Sequence, residues 1–378
     1  MSFPPNPAGP EQPENPASYA AAGVDVVAGE RAVDLMRASV ARATRPEVVD
    51  GFGGFAGLFD LSIAKDYQQP LLATSTDGVG TKVAIARALD QHNTIGRDLV
   101  AMIVDDIVVS GAEPLFLTDY IACGQVDPDR IAAIVSGIAD GCAEAGVALI
   151  GGETAEHPGL MAPDEYDIAG ASTGIVEADQ RLGPHWVRPG DVLVGLQSSG
   201  LHSNGYSLAR AVLYRDDQAA LAEFVPELGR TVGEELLEPT RIYTRLCLAL
   251  ARSWIGVHAM SHITGGGLAA NISRVLPVGL TAVIDRTAWE PAPIFRLIAD
   301  RGGVARNEME TAFNMSIGMV VIADPAALSG IFEQSAAARV GAAVIGQVRD
   351  TMPNDVADSP AKGGTGGLAM LVGDHPGG

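Results

Sequence analysis

Lysine is almost missing from this sequence. Only Lys65, Lys82 and Lys362 occur, and arginine serves as the base everywhere else. Basic residues number 25 against 46 acidic ones, so the net charge is −21. That balance excludes sequence-independent nucleic-acid binding, which needs basic surface. An anionic substrate must therefore be held by a local cluster of donors or by a metal, against the overall field. Cysteine is scarce as well. Cys123, Cys142 and Cys247 show no metal-ligand spacing and make an odd count, which reads as buried thiols in a reducing cytoplasm. No apolar run approaches the roughly 18 residues of a membrane span. No basic residue precedes Arg31, so the start does not read as a secretory signal. The expectation is a cytoplasmic protein that binds neither membrane nor nucleic acid, with 378 residues for about two globular domains.

Within that acidic chain one stretch stands out, STDGVGTK at 75–82. An apolar run precedes it and VAIARAL follows, which predicts strand, tight turn, helix. Gly78 and Gly80 let a ligand approach the backbone closely. Thr81 adds a hydroxyl and Lys82 a compact ammonium, parts of a phosphate cradle at a helix start. In a chain that otherwise uses arginine, a lysine here looks selected for that compact charge. Asp77 repels phosphate unless a divalent cation bridges them, which points to Mg²⁺. The competing reading is an ordinary turn with a solvent-facing lysine.

Residues 1–17 read as a disordered tail, followed by a helix within 19–44. The glycine-rich stretch 50–57, including Gly53 and Gly54, reads as a flap over a ligand or a wide turn pinned by two phenylalanines. The spacing predicts a buried helix over 94–111. On it Leu99, Met102, Ile103 and Asp106 share a face, while Asp105 is free to point outward. Asp106 inside such a run is costly unless paired or metal-bound. Asp119, on the strand after it, is a weaker candidate. Asp127 and Pro128 open a helix reaching Gly146. Glu153 follows two glycines at a strand end, a position suited to a ligand. The first domain ends near Gln180.

The second half offers a polar loop at 198–207 opening a helix, with Ser198, Ser199, Ser203 and Asn204 suited to an oxyanion. His202 in that loop is the best proton-transfer candidate. A strand at 258–262 leads to a second glycine turn, Thr264, Gly265 and Gly266, with His262 beside it. Asn314 can donate into the same cleft. From about Asp350 the composition predicts a disordered tail.

These motifs occur in a fixed order: AGVD (22–25), RPEV (45–48), GGF (53–55), TDGVGTK (76–82), GAEPLF (111–116), GGETAE (151–156), SSGLHSNGYS (198–207), EPTRIY (238–243), TGGG (264–267) and TAFN (311–314). Each alone is weak. Together they resemble the phosphoribosylformylglycinamidine cyclo-ligase (aminoimidazole ribonucleotide synthetase) family over residues 19–348. The resemblance implies an α/β (α+β) fold of two domains. Residues 18–180 would bind ATP and pair their sheet across a homodimer. Residues 181–349 would form an α/β sandwich that binds substrate, and 350–378 a disordered tail. It also implies ring closure of formylglycinamidine ribonucleotide to 5-aminoimidazole ribonucleotide with Mg²⁺ and ATP, by phosphorylation of the formyl oxygen. Carried over by position, Asp77, Gly78, Gly80, Thr81 and Lys82, with Gly53 and Gly54, would hold ATP. Asp77, Asp106 and Glu153 would hold the metal. Ser198, Ser199, His202, Ser203, Asn204, Thr264, Gly265, Gly266 and Asn314 would hold the ribonucleotide, and Lys82, His202 and Asp106 would be catalytic. Two positions depart from the family pattern: Asp105 stands where Asn is expected, and His157 where Met is more usual.

Two rivals share part of this signature. A related Mg-ATP enzyme, of the thiamine-monophosphate kinase or selenophosphate synthetase type, would use a similar fold. The latter usually carries a reactive cysteine in the first glycine loop, and 51–57 has none. A non-catalytic nucleotide-binding protein would be expected to lose Asp77, Lys82 or Glu153, and all three are present.

Overall fold

The N-terminal half is organised by alternation. The computed structural model describes residues 26–49, 53–215, 217–253, 255–361 and 363–376. The expected tail 1–17, the AGVD motif and residues 50–52 lie outside them. Helix α1 (Val26–Val40) buries Ala32, Met36 and Val40, spaced by four. Strand β1 (Pro70–Gly78) alternates, turning Leu71 and Ala73 toward the helices and leaving Leu72 exposed. Helices α2 (Val83–Leu89) and α3 (Asn93–Val108), strand β2 (Glu113–Cys123), helix α4 (Pro128–Ala145), strand β3 (Ala148–Glu156) and strand β4 (Tyr166–Glu177) follow. The four strands lie in the order β1-β4-β2-β3, with only β2 and β3 parallel as neighbours. Helices cover one face.

Helix α4 shows how local the specification is. The Asp127 carboxylate accepts from the backbone N–H groups of Asp129 and Arg130, Pro128 occupies the first turn, and Gly146 closes the helix at φ +81°. Its packing against α3 depends on two missing side chains. A Cβ on Gly96 would lie 2.2 Å from Ile138 N, and one on Gly137 1.9 Å from Asn93 O.

Helix α3 is buried on nearly every side, because the sheet, α4 and the C-terminal half all pack on it. Here the sequence expectation is reversed. Asp105 is fully buried, and Asp106 is the exposed one, its side chain 40 % accessible.

The C-terminal half is one six-stranded sheet. It consists of β5 (Val192–Gln197), β6 (Val257–His262), β7 (Leu280–Asp285), β8 (Ile317–Ala323), β9 (Ala342–Asp350) and β10 (Leu368–Val372), ordered β6-β8-β5-β9-β7-β10. Every residue of β8 is buried, because both faces are covered. Val320 and Ile322 join a core with Leu268 and Ile272, whereas Met319 and Val321 join one with Leu246, Leu250 and Ile331.

Strand β10 corrects the expected C-terminal tail. It pairs parallel with β7 from Thr281 to Asp285, buries Ala369 and Leu371, and gives the Leu371 carbonyl to Arg286 Nη1 at 2.7 Å. A segment rich in Gly, Ala and Asp hides five residues that complete the sheet edge. Among the described residues no helix is long and apolar enough to cross a membrane.

Candidate functional site between the two halves

The seam between the halves is built on the aspartates of α3. Asp98, one face of the helix away from the sheet, accepts from Thr240 N at 2.7 Å, Thr240 Oγ1 at 2.6 Å and Lys82 Nζ at 2.8 Å. Seven residues on, Asp105 accepts from Tyr243 N and Thr244 Oγ1 at 3.0 and 2.8 Å. Burial pushes the Asp105 carboxyl up to about 6, against the pull of His262 and these donors. Thr240 and Tyr243 lie in the EPTRIY motif. Their service as partners of buried aspartates had no sequence signal beyond the motif itself.

Lys82 departs from the phosphate cradle expected of it. Its side chain is fully buried. Besides Asp98, the ammonium donates to the carbonyls of His202 at 3.1 Å and Glu238 at 2.6 Å, and sits 5.4 Å from the centre of the Tyr206 ring. Three acceptors saturate its three donors. Burial lowers its pKa against the raising effect of Asp98. In this conformation Lys82 clamps the C-terminal loop 198–207 and the segment at Glu238 to the N-terminal half.

Beside that clamp, Asp77, Gly80, Thr81, Asp106, Asn204, Ser207 and Gly265 are partly or fully exposed and line the cleft between the halves. Gly80 takes φ +67° and turns the chain after Asp77, whereas Gly78 ends strand β1 with an ordinary φ. Thr81 Oγ1 is 3.3 Å from Ser207 Oγ. Asn204 Oδ1 accepts from Gly265 N at 2.9 Å, next to Gly266 at φ +99°. Asp106 Oδ1 lies 2.9 Å from His262 Nδ1. Burial would depress the His262 pKa, but the hydrogen bond and charge of Asp106, with Asp105 and Asp77 behind it, raise it overall. His262 Nε2 is buried with no protein partner.

Several expected ligand groups are internal braces instead. Ser198 Oγ donates to Gly200 O at 2.9 Å and to Asn314 Oδ1 at 3.2 Å. Asn314 Nδ2 donates to Gly200 O at 2.9 Å, and Ser199 Oγ to Pro239 O at 2.6 Å. Thr264 is tied to Asn271. Ser203, Asn204, Gly265 and Gly266 remain accessible. The Nδ1 of His202, like the Nε2 of His262, is buried with no protein partner. His202 is buried at φ +62°, and its Nε2 accepts from Ser199 N at 3.2 Å. Burial, then the positive His262, Lys82 and Arg241, holds its pKa well below the ordinary value.

The three expected metal ligands do not converge within one chain. Asp77, Gly170, Asp119 and Gly152 form one row across the sheet, so Asp77 and β3 are three strand spacings apart, about 14 Å. Glu153 pairs with Tyr120 in the next row and thus faces the opposite side. Gly53 and Gly54 are also remote. Their loop returns against β3, where a Cβ on Gly57 would lie 2.4 Å from Ile150 O. Among the described residues no group of three His, Cys, Asp or Glu side chains is arranged to hold a metal. Asp77 and Asp106, both close enough to His262 to raise its pKa, carry hard oxygen donors of the kind Mg²⁺ takes.

Known proteins agree with this architecture. Residues 59–176 match the N-terminal domain of AIR synthase related protein, and residues 188–356 its C-terminal domain. The chain is 51 % identical over 334 residues to a phosphoribosylformylglycinamidine cyclo-ligase of Geobacillus thermodenitrificans, covering 88 % of this chain and 95 % of that one. It is 46 % identical to one of Lachnospira eligens, covering 87 % and 96 %. Among solved structures, thiamine-monophosphate kinase from Stenotrophomonas maltophilia superposes with a TM-score of 0.64 at 19 % identity, covering 90 % of this chain and 95 % of that one. Hydrogenase maturation protein HypE in complex with ATP superposes with 0.61 at 18 %, covering 88 % and 89 %. At such identities these two likenesses speak for the fold alone. The sequence relatives go further, and by them this chain belongs to the phosphoribosylformylglycinamidine cyclo-ligase family.

Proposed function

We propose that this protein closes formylglycinamidine ribonucleotide to 5-aminoimidazole ribonucleotide, converting ATP to ADP and phosphate, in purine biosynthesis. The observation that carries this reading is the identity of about half of all residues across nearly the whole length of cyclo-ligases. The chemistry needs an activated amide oxygen, since that oxygen leaves poorly until phosphorylated. Positioning and charge neutralisation do most of such work.

The cleft supplies groups for both tasks. Asp77 and Asp106 would hold Mg²⁺, which neutralises phosphate charge when bound. Thr81, Ser203, Asn204, Gly265 and Gly266 would contact the ribonucleotide and the transferring phosphate. Ser198, Ser199, Thr264 and Asn314 support these groups from behind. His262 would handle the proton in preference to His202, because Asp106 orients it through Nδ1 and raises its pKa, whereas the His202 pKa is held well below the ordinary value. Lys82 positions the loop rather than the phosphate.

A homodimer fits the N-terminal sheet. The face away from the helices exposes Leu72 at 62 % and Tyr120 at 41 %, and a second copy would cover them. Pairing on that face would also return Glu153 to an ATP site, from the neighbouring copy.

Purified protein with Mg-ATP and formylglycinamidine ribonucleotide tests the activity. ADP and aminoimidazole should appear one to one. ATP turnover only with another acceptor, such as thiamine monophosphate, would overturn the reading while leaving the fold.

A further inference from the structure

Two successive residues behind the loop 198–207 hold a backbone that neither favours. Met315 has φ +46° and Ser316 φ +75°, in the left-handed region that suits glycine. They stand between Asn314 and the start of β8. Both are buried. Such strain persists only where the surroundings over-determine it, and it collects at functional sites.

The turn is tied on two sides. On one side is the loop 198–207. Ser316 O accepts from Ser198 N at 2.9 Å, and Asn314, which braces Ser198 and Gly200, also accepts from Ser316 N through Oδ1 at 2.8 Å. On the other side is the short segment after β7. Trp289 Nε1 donates to Met315 O at 2.8 Å, and Ala292 N to Ser316 Oγ at 2.7 Å. The indole is itself buried, with the His375 ring edge-on to it at 4.7 Å. Packing therefore fixes where its N–H points.

We propose that Trp289, with the Ala292 amide beside it, positions the ribonucleotide site. The two donors hold Met315 and Ser316 in the left-handed turn. The turn in turn sets Asn314 and the loop that presents Ser203 and Asn204. This rests on the reading above that the loop contacts the ribonucleotide.

Steady-state kinetics on the full chain test it with three variants. Trp289→Phe keeps an aromatic ring and leaves the Met315 carbonyl without its donor. KM for formylglycinamidine ribonucleotide should rise about tenfold, with kcat within about threefold and KM for ATP within about twofold. Ala292→Pro deletes the second donor alone, since Ala292 has φ −59°, which proline adopts. It should raise the same KM about threefold, with the melting temperature within about 3 °C of wild type. Asn314→Ala cuts the turn from the loop, so adding Trp289→Phe to it should raise KM by less than about twofold more.

An unchanged ribonucleotide KM in Trp289→Phe overturns the assignment. So does a loss that moves both KM values and kcat together, or full additivity with Asn314→Ala, because a merely structural indole would give those results. If Trp289→Phe does not fold, an unchanged ribonucleotide KM in Ala292→Pro overturns it instead. Titration calorimetry with the ribonucleotide and a non-hydrolysable ATP analogue keeps the two readings apart. If the wild type binds the ribonucleotide but forms no aminoimidazole, the proposed activity fails and the same shifts are read in Kd. If the wild type does not bind it, both readings fail.

Discussion

Replacing Lys82 with methionine separates a structural clamp from a phosphate ligand. Methionine fills much of the space of the aliphatic stem but leaves Asp98 fully buried with only the two donors of Thr240. Removing one partner of a buried pair costs about 3–5 kcal/mol, and the carbonyls of His202 and Glu238 lose a donor as well. Against a total stability of about 5–15 kcal/mol, that is a large fraction. The apparent melting temperature in scanning calorimetry should fall on the order of 10 °C. The double variant Lys82→Met/Asp98→Leu should recover at least half of the loss, because it leaves no uncompensated charge in the seam. If Lys82→Met melts within about 2 °C of wild type and only raises KM for ATP, the ammonium serves the nucleotide and the clamp is wrong.

Three further outcomes follow from the same geometry. Asp105 has a folded pKa of about 6, above the ordinary 3.8, so the folded state holds its proton more tightly. Stability is therefore lost as pH rises between those values. Asp105→Asn should gain about 1 kcal/mol on wild type between pH 5 and pH 8 in urea titrations, and a constant difference would refute the burial argument. His202→Asn suits φ +62° and should keep kcat within about tenfold, whereas His262→Asn should lose about a hundredfold or more. The reverse order in pH–rate measurements would restore His202 as the proton carrier. Ending the chain after residue 357 removes β10 and uncovers the edge of β7. It should lower soluble yield and melting temperature, and a truncation that behaves like wild type would refute a structural role for that strand.

What the sequence determined by itself is local. Asp127, Pro128 and Gly146 specify both ends of α4 because caps act within a few residues. The period of α3 marks it as buried, and the ordered motifs identify the family. Where side chains end up was decided only in three dimensions. Asp105 and Asp106 are neighbours in an apolar run, and nothing in its period says which one meets Tyr243 and Thr244. Lys82 sits in a turn that looks like a phosphate cradle, yet an acceptor it reaches lies 156 residues ahead. Asp77 lies near the end of β1 and Glu153 inside β3, and strand order and the two-residue alternation put them apart and on opposite faces. Backbone conformation is set by neighbours along the chain, whereas the partner of a buried charge is set by which distant segment packs against it.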